Sequence, residues 1–414
     1  MATTPTRQGT TIPLSSLASD ARRSERTAAL KKLEQALRTD GWVRVVHEGL
    51  ATPTQDVYDS AADIFSRPDV CAAHKREVLS NHLAFTYLGA DEEPLYDEHA
   101  SKQFVHSLNI QEVLSAEACD LRLHGQPGYD DEERMLAHAY HAWPLGEATQ
   151  SMREAGARLR HSLAAHACGP LLRAFALLLG LEEGWLAERC AMRRSDNTSL
   201  LRCLEYPPLP SSSASAHAHA DGAIWGVSAH TDFELFSLLS EQAPGLEVAD
   251  PSGRWHSPAP ASTSAGDDAV DGAATSAWVV IVGDMLEILS AGYWVATPHR
   301  VRPTCATMAQ PRRSLVFFQG LDENEPLAPL RALPSGRRTP TGGFPRWCEA
   351  RREEDAAHAG SGRRVGDAVV GPGVPGGAAA CVTQPVTQRE WTELKERLAT
   401  ERLRERERQA AEAS

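Results

Sequence analysis

Within the stretch Gly226-Val-Ser-Ala-His-Thr-Asp-Phe-Glu-Leu-Phe-Ser-Leu-Leu239, a histidine and an aspartate stand two apart, His230 and Asp232. On a strand, positions i and i+2 share a face, so one imidazole and one carboxylate reach toward the same point. His299 opens a second strand-like run, in Trp294-Val-Ala-Thr-Pro-His-Arg-Val-Arg302. Two imidazoles and one carboxylate on one face of a metal leave three positions open. That donor set suits ferrous iron and a chemistry in which dioxygen and a co-substrate bind the metal together. Structural zinc would want a fourth protein donor, and no cysteine fits that role. A zinc hydrolase would carry a helix-borne pair such as H-E-x-x-H, which the sequence lacks.

The H-x-D spacing is short enough to recur by chance, and here it does. His219-Ala-Asp221, with His217 two residues earlier, is a second copy. It lies beside Ser211-Ser-Ser-Ala-Ser-Ala-His-Ala-His-Ala220, a low-complexity stretch read as a surface insertion. Metal ligands need a rigid scaffold and partners that orient them. His230 and Asp232 sit between apolar, strand-like residues and are preferred for that reason.

The chain that must position these residues has 414 of them, enough for one large domain or two smaller ones. Apolar residues make up 42% and charged residues 23%, an ordinary globular composition. The formal charge of −13 argues against a nucleic-acid partner. No apolar run approaches the ~18 residues of a membrane span, and Met1-Ala-Thr-Thr-Pro-Thr-Arg7 lacks a signal-peptide core, so a cytoplasmic protein is expected. The eight cysteines form no C-x-x-C pair and suggest no disulfide framework.

Helical signals dominate the first half. Leu30, Leu33 and Leu37 predict a helix over Ser24 to Thr39, capped by Ser24 and stopped by Gly41. Trp42 to Val46 reads as a strand and Thr54 to Ser66 as a second helix. Ser80 to Tyr129 has weak periodicity and reads mostly as loop. A long helical region follows Pro144 and runs to Leu179, with a break near Gly169-Pro170. After Ser199, short β-rich runs separated by Gly, Pro and Asp follow one another: 200–206, 226–230, 235–239, 246–249, 278–282, 299–301 and 314–318. Helices first and strands later predict an α+β fold, its core a double-stranded β-helix or jelly roll with N-terminal helices beside it. Residues 259–277 read as a second surface insertion and 360–380 as a Gly-rich loop. Thr387 and Glu390 make a capping box ahead of a charged C-terminal helix.

In their order, the motifs of the second half resemble the Fe(II)/2-oxoglutarate-dependent dioxygenase superfamily, in particular its isopenicillin-N-synthase-like group. Leu201-Arg-Cys-Leu-Glu-Tyr-Pro-Pro208 resembles the strand ending in Tyr-Pro-Pro, and His230-Thr-Asp232 the iron motif, followed by Pro244-Gly-Leu-Glu-Val248. Val280-Ile-Val-Gly-Asp-Met-Leu-Glu287 resembles the family's Gly-Asp turn and helix. His299-Arg-Val301 is followed by Arg312-Arg-Ser-Leu-Val-Phe-Phe318, which fits Arg-x-Ser. Thr11-Ile-Pro-Leu14 and Asp40-Gly-Trp-Val-Arg-Val-Val-His47 resemble the group's N-terminal region. The likeness covers residues 10 to 325, with gaps at the two insertions.

The resemblance implies Fe(II) held by His230, Asp232 and His299, and 2-oxoglutarate as co-substrate. One carboxylate and the keto oxygen of that diacid chelate iron, and the distal carboxylate needs a fixed cation. Arg312 and Ser314, two apart on a strand, can offer a guanidinium fork and a hydroxyl; Arg313 would then face the other way, into solvent. Tyr206 would add a hydrogen bond, by analogy with the family. Many relatives have Asn two residues before that tyrosine, where Leu204 stands here. The implied activity is oxidation of a small organic substrate by O2, by hydroxylation, desaturation or ring closure, with release of succinate and CO2. The alternatives are a 2-oxoglutarate-independent iron oxidase of the same superfamily and a non-catalytic jelly-roll binding protein. Phe85, Tyr87, Phe104, Trp225 and Phe233 are candidate pocket residues. The expected organisation is an N-terminal mixed region at 10–150, the oxygenase core at 151–330 and a loop-rich tail at 331–414, acting as a monomer.

Overall fold

Phe236–Glu241, Leu246–Ala249 and Arg312–Gln319 are buried at nearly every position because both faces of the sheets they build are covered. The computed structural model describes residues 4–67, 87–88, 102–103, 105–110, 147–190, 199–208, 223–224, 226–259, 276–302, 310–322, 325–327, 330 and 386–387. In chain order the elements are β1 (Thr6–Arg7), β2 (Thr11–Pro13), α1 (Arg23–Thr39), β3 (Trp42–His47), α2 (Ala51–Phe65), β4 (Tyr87–Leu88), β5 (Lys102–Gln103) and β6 (His106–Ile110). Then come α3 (Glu147–Leu163), α4 (Gly169–Leu178), α5 (Trp185–Arg189), β7 (Leu200–Tyr206), β8 (Ala223–Ile224), β9 (Val227–His230), β10 (Phe236–Glu241) and β11 (Leu246–Ala249). The last are β12 (Trp255–Pro258), β13 (Ser276–Val282), α6 (Asp284–Leu289), β14 (His299–Val301), β15 (Arg312–Gln319), β16 (Pro326–Leu327) and β17 (Val386–Thr387).

Two sheets carry the site. The larger has eight strands in the order β2-β3-β13-β10-β15-β7-β6-β4, and the smaller has five, β1-β12-β11-β14-β9. The strand period of two sorts the large sheet's side chains between two cores. Trp278, Val280 and Val282 of β13, Phe236 and Leu238 of β10, and Leu315 and Phe317 of β15 pack with the helices. Their neighbours Val279, Ile281, Leu239 and Val316 pack instead against Leu246, Val248 and Val301 of the small sheet. This is the jelly-roll sandwich with helices on one outer face, an α+β fold. Whatever lies on the small-sheet side of β10, β15 and β7 therefore faces an interior between the sheets.

The helices follow their apolar spacing. α1 buries Ala29, Leu33, Ala36 and Leu37, one stripe of a 3.6-residue period. It begins one residue before Ser24, which makes no cap; Gly41 follows it at φ 80°, the left-handed turn expected at a helix end. The long helical region after Pro144 is broken by a π-turn at Ala164–Cys168, just before the predicted point, and Pro170 sits in the first turn of α4, where no backbone N–H is needed.

The reading of 80–129 as mostly loop is corrected at β6. This strand pairs antiparallel with β7 and extends the large sheet. Its alternation is short, and pairing with a neighbour almost a hundred residues on decides its state. β12, also unpredicted, is held between β11 and β1. The insertion 211–220, most of 259–277, the Gly-rich loop and the C-terminal helix lie outside the described residues.

Candidate active site

β9 and β14 are antiparallel neighbours, and their register sets His299 directly opposite His230. Asp232 lies two residues past His230, where the chain leaves β9. The Nε2 atoms of His230 and of His299 are each 3.6 Å from Asp232 Oδ1. All three donor atoms lie within 4.8 Å of one another. The sequence-predicted triad is thus brought together, and Asp232 and His299 are buried at 5% and 4% exposure.

Each donor is oriented by a second contact. Ser237 Oγ donates to Asp232 Oδ2, which turns Oδ1 toward the imidazoles. The carbonyl of Thr297 lies 3.1 Å from His299 Nδ1; placing the proton there leaves the Nε2 lone pair facing the site. The backbone N–H of Asp284 donates to the carbonyl of Asp232, tying that loop to the start of α6. Gly283 makes this approach possible, because a Cβ there would stand 2.0 Å from the carbonyl oxygen of Glu234. The Gly-Asp pair that opens α6 therefore has a steric reason. A buried carboxylate between two converging imidazoles fits a divalent cation and is costly without one.

A second cluster lies on the inner face of β15 and β7. Arg312, 2% exposed, pairs in register with Tyr206, and its guanidinium carbon lies 4.7 Å from that ring's centre. Ser314 Oγ donates to the Tyr206 hydroxyl at 3.4 Å. Arg312 Nε donates to the carbonyl of Ala243 at 2.9 Å, its Nη2 is paired with Glu241, and its buried Nη1 has no acceptor. Burial works to lower the Arg312 pKa, but Glu241, Tyr206 and Tyr58 together outweigh it and hold the guanidinium above its ordinary value. Tyr206 moves upward because it is buried. A buried N–H without an acceptor, beside a hydroxyl pair, fits an incoming carboxylate.

One cavity joins the two clusters. His230, Asp232 and His299 line it together with Tyr206, Arg312 and Ser314. Apolar walls come from Leu204, Leu239, Val301 and Val316, and Glu241 and Arg202 also reach it. Leu204, where an amide was expected by analogy, therefore presents an apolar surface to the cavity. Of the proposed pocket aromatics, Phe233 is not part of the wall; Phe318 of β15 is. The side chains of Phe85, Tyr87, Phe104 and Trp225, like the rival pair His219 and Asp221, lie outside the described residues.

Two further corrections concern charge. Arg313 does face away from Arg312, but it is not solvated: it forms a 2.6 Å ion pair with Glu205, its register partner on β7. Glu241 was missed. It stands opposite Ser314 across β10 and β15, and a carboxylate's importance there depends on that pairing rather than on any local pattern.

Residues 197–320 match the 2OG-Fe(II) oxygenase superfamily. That match covers the stretch from β7 to the end of β15, which holds both clusters. Fe(II) and 2-oxoglutarate, for which the superfamily is named, are the cofactors its triad and its arginine cluster fit. Gibberellin 2-beta-dioxygenase 1 of Arabidopsis thaliana is 25% identical over 209 residues, 49% of this chain and 57% of that protein. The 2-oxoglutarate-dependent dioxygenase citB of Monascus ruber is 34% identical over 128 residues, 30% of this chain and 32% of that one. The chain thus spans little more than half of the first of these relatives and a third of the second. In fold, the chain resembles a full-length Neurospora crassa protein solved in complex with alpha-KG, with TM-score 0.58, 17% identity, and 80% and 91% of the two chains covered. It likewise resembles a 2OG-Fe(II) oxygenase family protein of Caulobacter crescentus, with TM-score 0.61, 20% identity, and 95% and 99% covered. Among the described residues, no helix is long and apolar enough to cross a membrane.

Proposed function

We propose that this chain is a dioxygenase that uses Fe(II), 2-oxoglutarate and O2 to oxidise a small organic substrate. His230, Asp232 and His299 are its metal ligands, and Arg312, Ser314 and Tyr206 seat the distal carboxylate of the co-substrate. One observation carries the reading: a three-donor cluster and a buried arginine with an unused N–H line the same cavity. A diacid that chelates a metal at one end needs a cation at the other, and this cavity offers both. The 151–330 segment is the catalytic core in this reading, and the chain works as a cytoplasmic monomer; the free, buried Cys168, Cys190 and Cys203 support a reducing compartment.

O2 would be the oxidant and bound iron would activate it, with 2-oxoglutarate giving up two electrons as it becomes succinate and CO2 and the substrate giving up the other two. The protein's residues do the rest. Asp232 and the two imidazoles would hold the metal with three protein donors, fewer than it can accept. Ser237 and Thr297 hold two of those ligands in orientation. Arg312 sets which way round the diacid enters, and Leu204, Leu239 and Val316 exclude water from the space between. No side chain is assigned as a general base, because hydrogen-atom removal from the substrate needs none.

The test is to incubate the purified chain with Fe(II) and 2-oxoglutarate over a panel of small metabolites and to quantify succinate. Succinate formation that requires both cofactors and disappears in Asp232→Ala is expected. Metal-dependent oxygen uptake that ignores 2-oxoglutarate would instead favour the oxidase alternative, which the pairing of Glu241 with Arg312 makes physically reasonable: a side chain would then hold the position of the distal carboxylate.

A further inference from the structure

The proposed seat of the co-substrate is not a lone cation. Glu241 Oε1 takes two hydrogen bonds, from Arg312 Nη2 and from the backbone N–H of Leu246 at 2.8 Å. Its side chain is 18% exposed, Arg312 only 2%, and both line the cavity. β10 and β15 hold the carboxylate in place, since Glu241 is in register with Ser314, itself part of the seat. Gly245 lets the turn after β10 close on the arginine, because a Cβ there would lie 2.8 Å from Arg312 Nε.

A carboxylate fixed on this guanidinium cancels much of its charge. It also stands a few ångströms from any second carboxylate that the same guanidinium receives. We infer that Glu241 is a built-in competitor at the distal-carboxylate seat, lowering the protein's affinity for 2-oxoglutarate and so setting how much co-substrate the enzyme requires. The inference rests on the reading of Arg312 as that seat. Arg312 keeps its orientation through Ala243 and Nη1 stays available, so the incoming carboxylate binds against Glu241 rather than in its place. The effect must be selective. A 2-oxo acid with no distal carboxylate chelates a metal in the same way but never meets Glu241.

The experiment compares 2-oxoglutarate with 2-oxobutyrate, both titrated calorimetrically into the manganese(II)-loaded full chain, so that binding is read without turnover. Glu241→Gln keeps an oxygen for both hydrogen bonds and removes the charge. Like charges at this range in a partly buried site predict a Kd for 2-oxoglutarate that falls about three- to tenfold, with the Kd for 2-oxobutyrate unchanged. Glu241→Ala provides a second variant, read through the ratio of the two Kd values, which should move toward the diacid. A weaker or unchanged affinity for 2-oxoglutarate in Glu241→Gln would overturn the inference, since it would make Glu241 a mere support for Arg312. Arg312→Gln separates the two layers. If it erases the preference for the diacid while the Glu241 variants shift nothing, the seat stands and the competitor falls. If it leaves diacid binding untouched, the seat itself is wrong and the inference goes with it.

Discussion

His230 and His299 face one another across adjacent antiparallel strands, their ring centres 4.2 Å apart. They stand far apart in the chain, and a single strand register joins them. The proposed metal site is therefore a property of the β9–β14 pairing as much as of its three donors.

Asp232→Ala should abolish stable metal binding while leaving the fold intact. The carboxylate is the donor both imidazoles approach, and its loss leaves two neutral ligands. Elemental analysis after dialysis against Fe(II) should fall from about one ion per chain to near zero, with the far-ultraviolet circular dichroism unchanged. Retention of a full equivalent of iron would remove Asp232 from the site.

Ser237→Ala tests the orienting contact. The fully buried hydroxyl donates to Asp232, and loss of such a partner costs roughly 10- to 100-fold in metal affinity. Fe(II) titration under anaerobic conditions measures it. Affinity equal to wild type would show that the strand alone aims the carboxylate.

Gly283→Ala should destabilise the protein and loosen the site together. The added methyl meets the backbone of Glu234, which cannot rotate away as a side chain can. A cost of about 1–3 kcal/mol or more is expected in chemical denaturation. Metal affinity should drop in parallel, because Asp284 N–H anchors the Asp232 carbonyl. A stable variant with intact metal binding would contradict the steric reading.

Acid stability should depend on Asp250. Burial works to raise its pKa, but hydrogen bonds from Ser252, His256 and the backbone N–H groups of Arg254 and Ser252 outweigh that and hold it well below its ordinary 3.8. A carboxyl depressed in the folded state stabilises the fold above its unfolded pKa. That contribution is lost as the pH falls below the ordinary value toward the lower folded one. Asp250→Asn should therefore be less stable than wild type near neutrality and should lose less on acidification over that range. Parallel stability curves for the two proteins would refute the assignment.

What could be read from the sequence was what repeats locally. His230 with Asp232, and Arg312 with Ser314, stand at the strand period, so their faces follow from the spacing alone. The strands Leu200–Tyr206, Leu246–Ala249 and His299–Val301 were legible to the residue because turn-forming residues bound them. What escaped depends on partners far along the chain. β6 is a strand because β7 receives it, Arg313 is paired because Glu205 lies opposite, and Glu241 matters because β15 brings Arg312 alongside. The break near Gly169-Pro170 was legible, but its form as a π-turn at Ala164–Cys168 was not, since no residue type in that stretch marks one.

The first strands have a consequence of their own. β1 joins the small sheet beside β12, and β2, close behind it in the chain, joins the large sheet beside β3. One short stretch thus hems both layers along one border. Clipping it away would bare two strand rims at once and invite neighbouring molecules to stitch themselves on. Altering residues 6–13 is therefore an intervention in the protein's solubility.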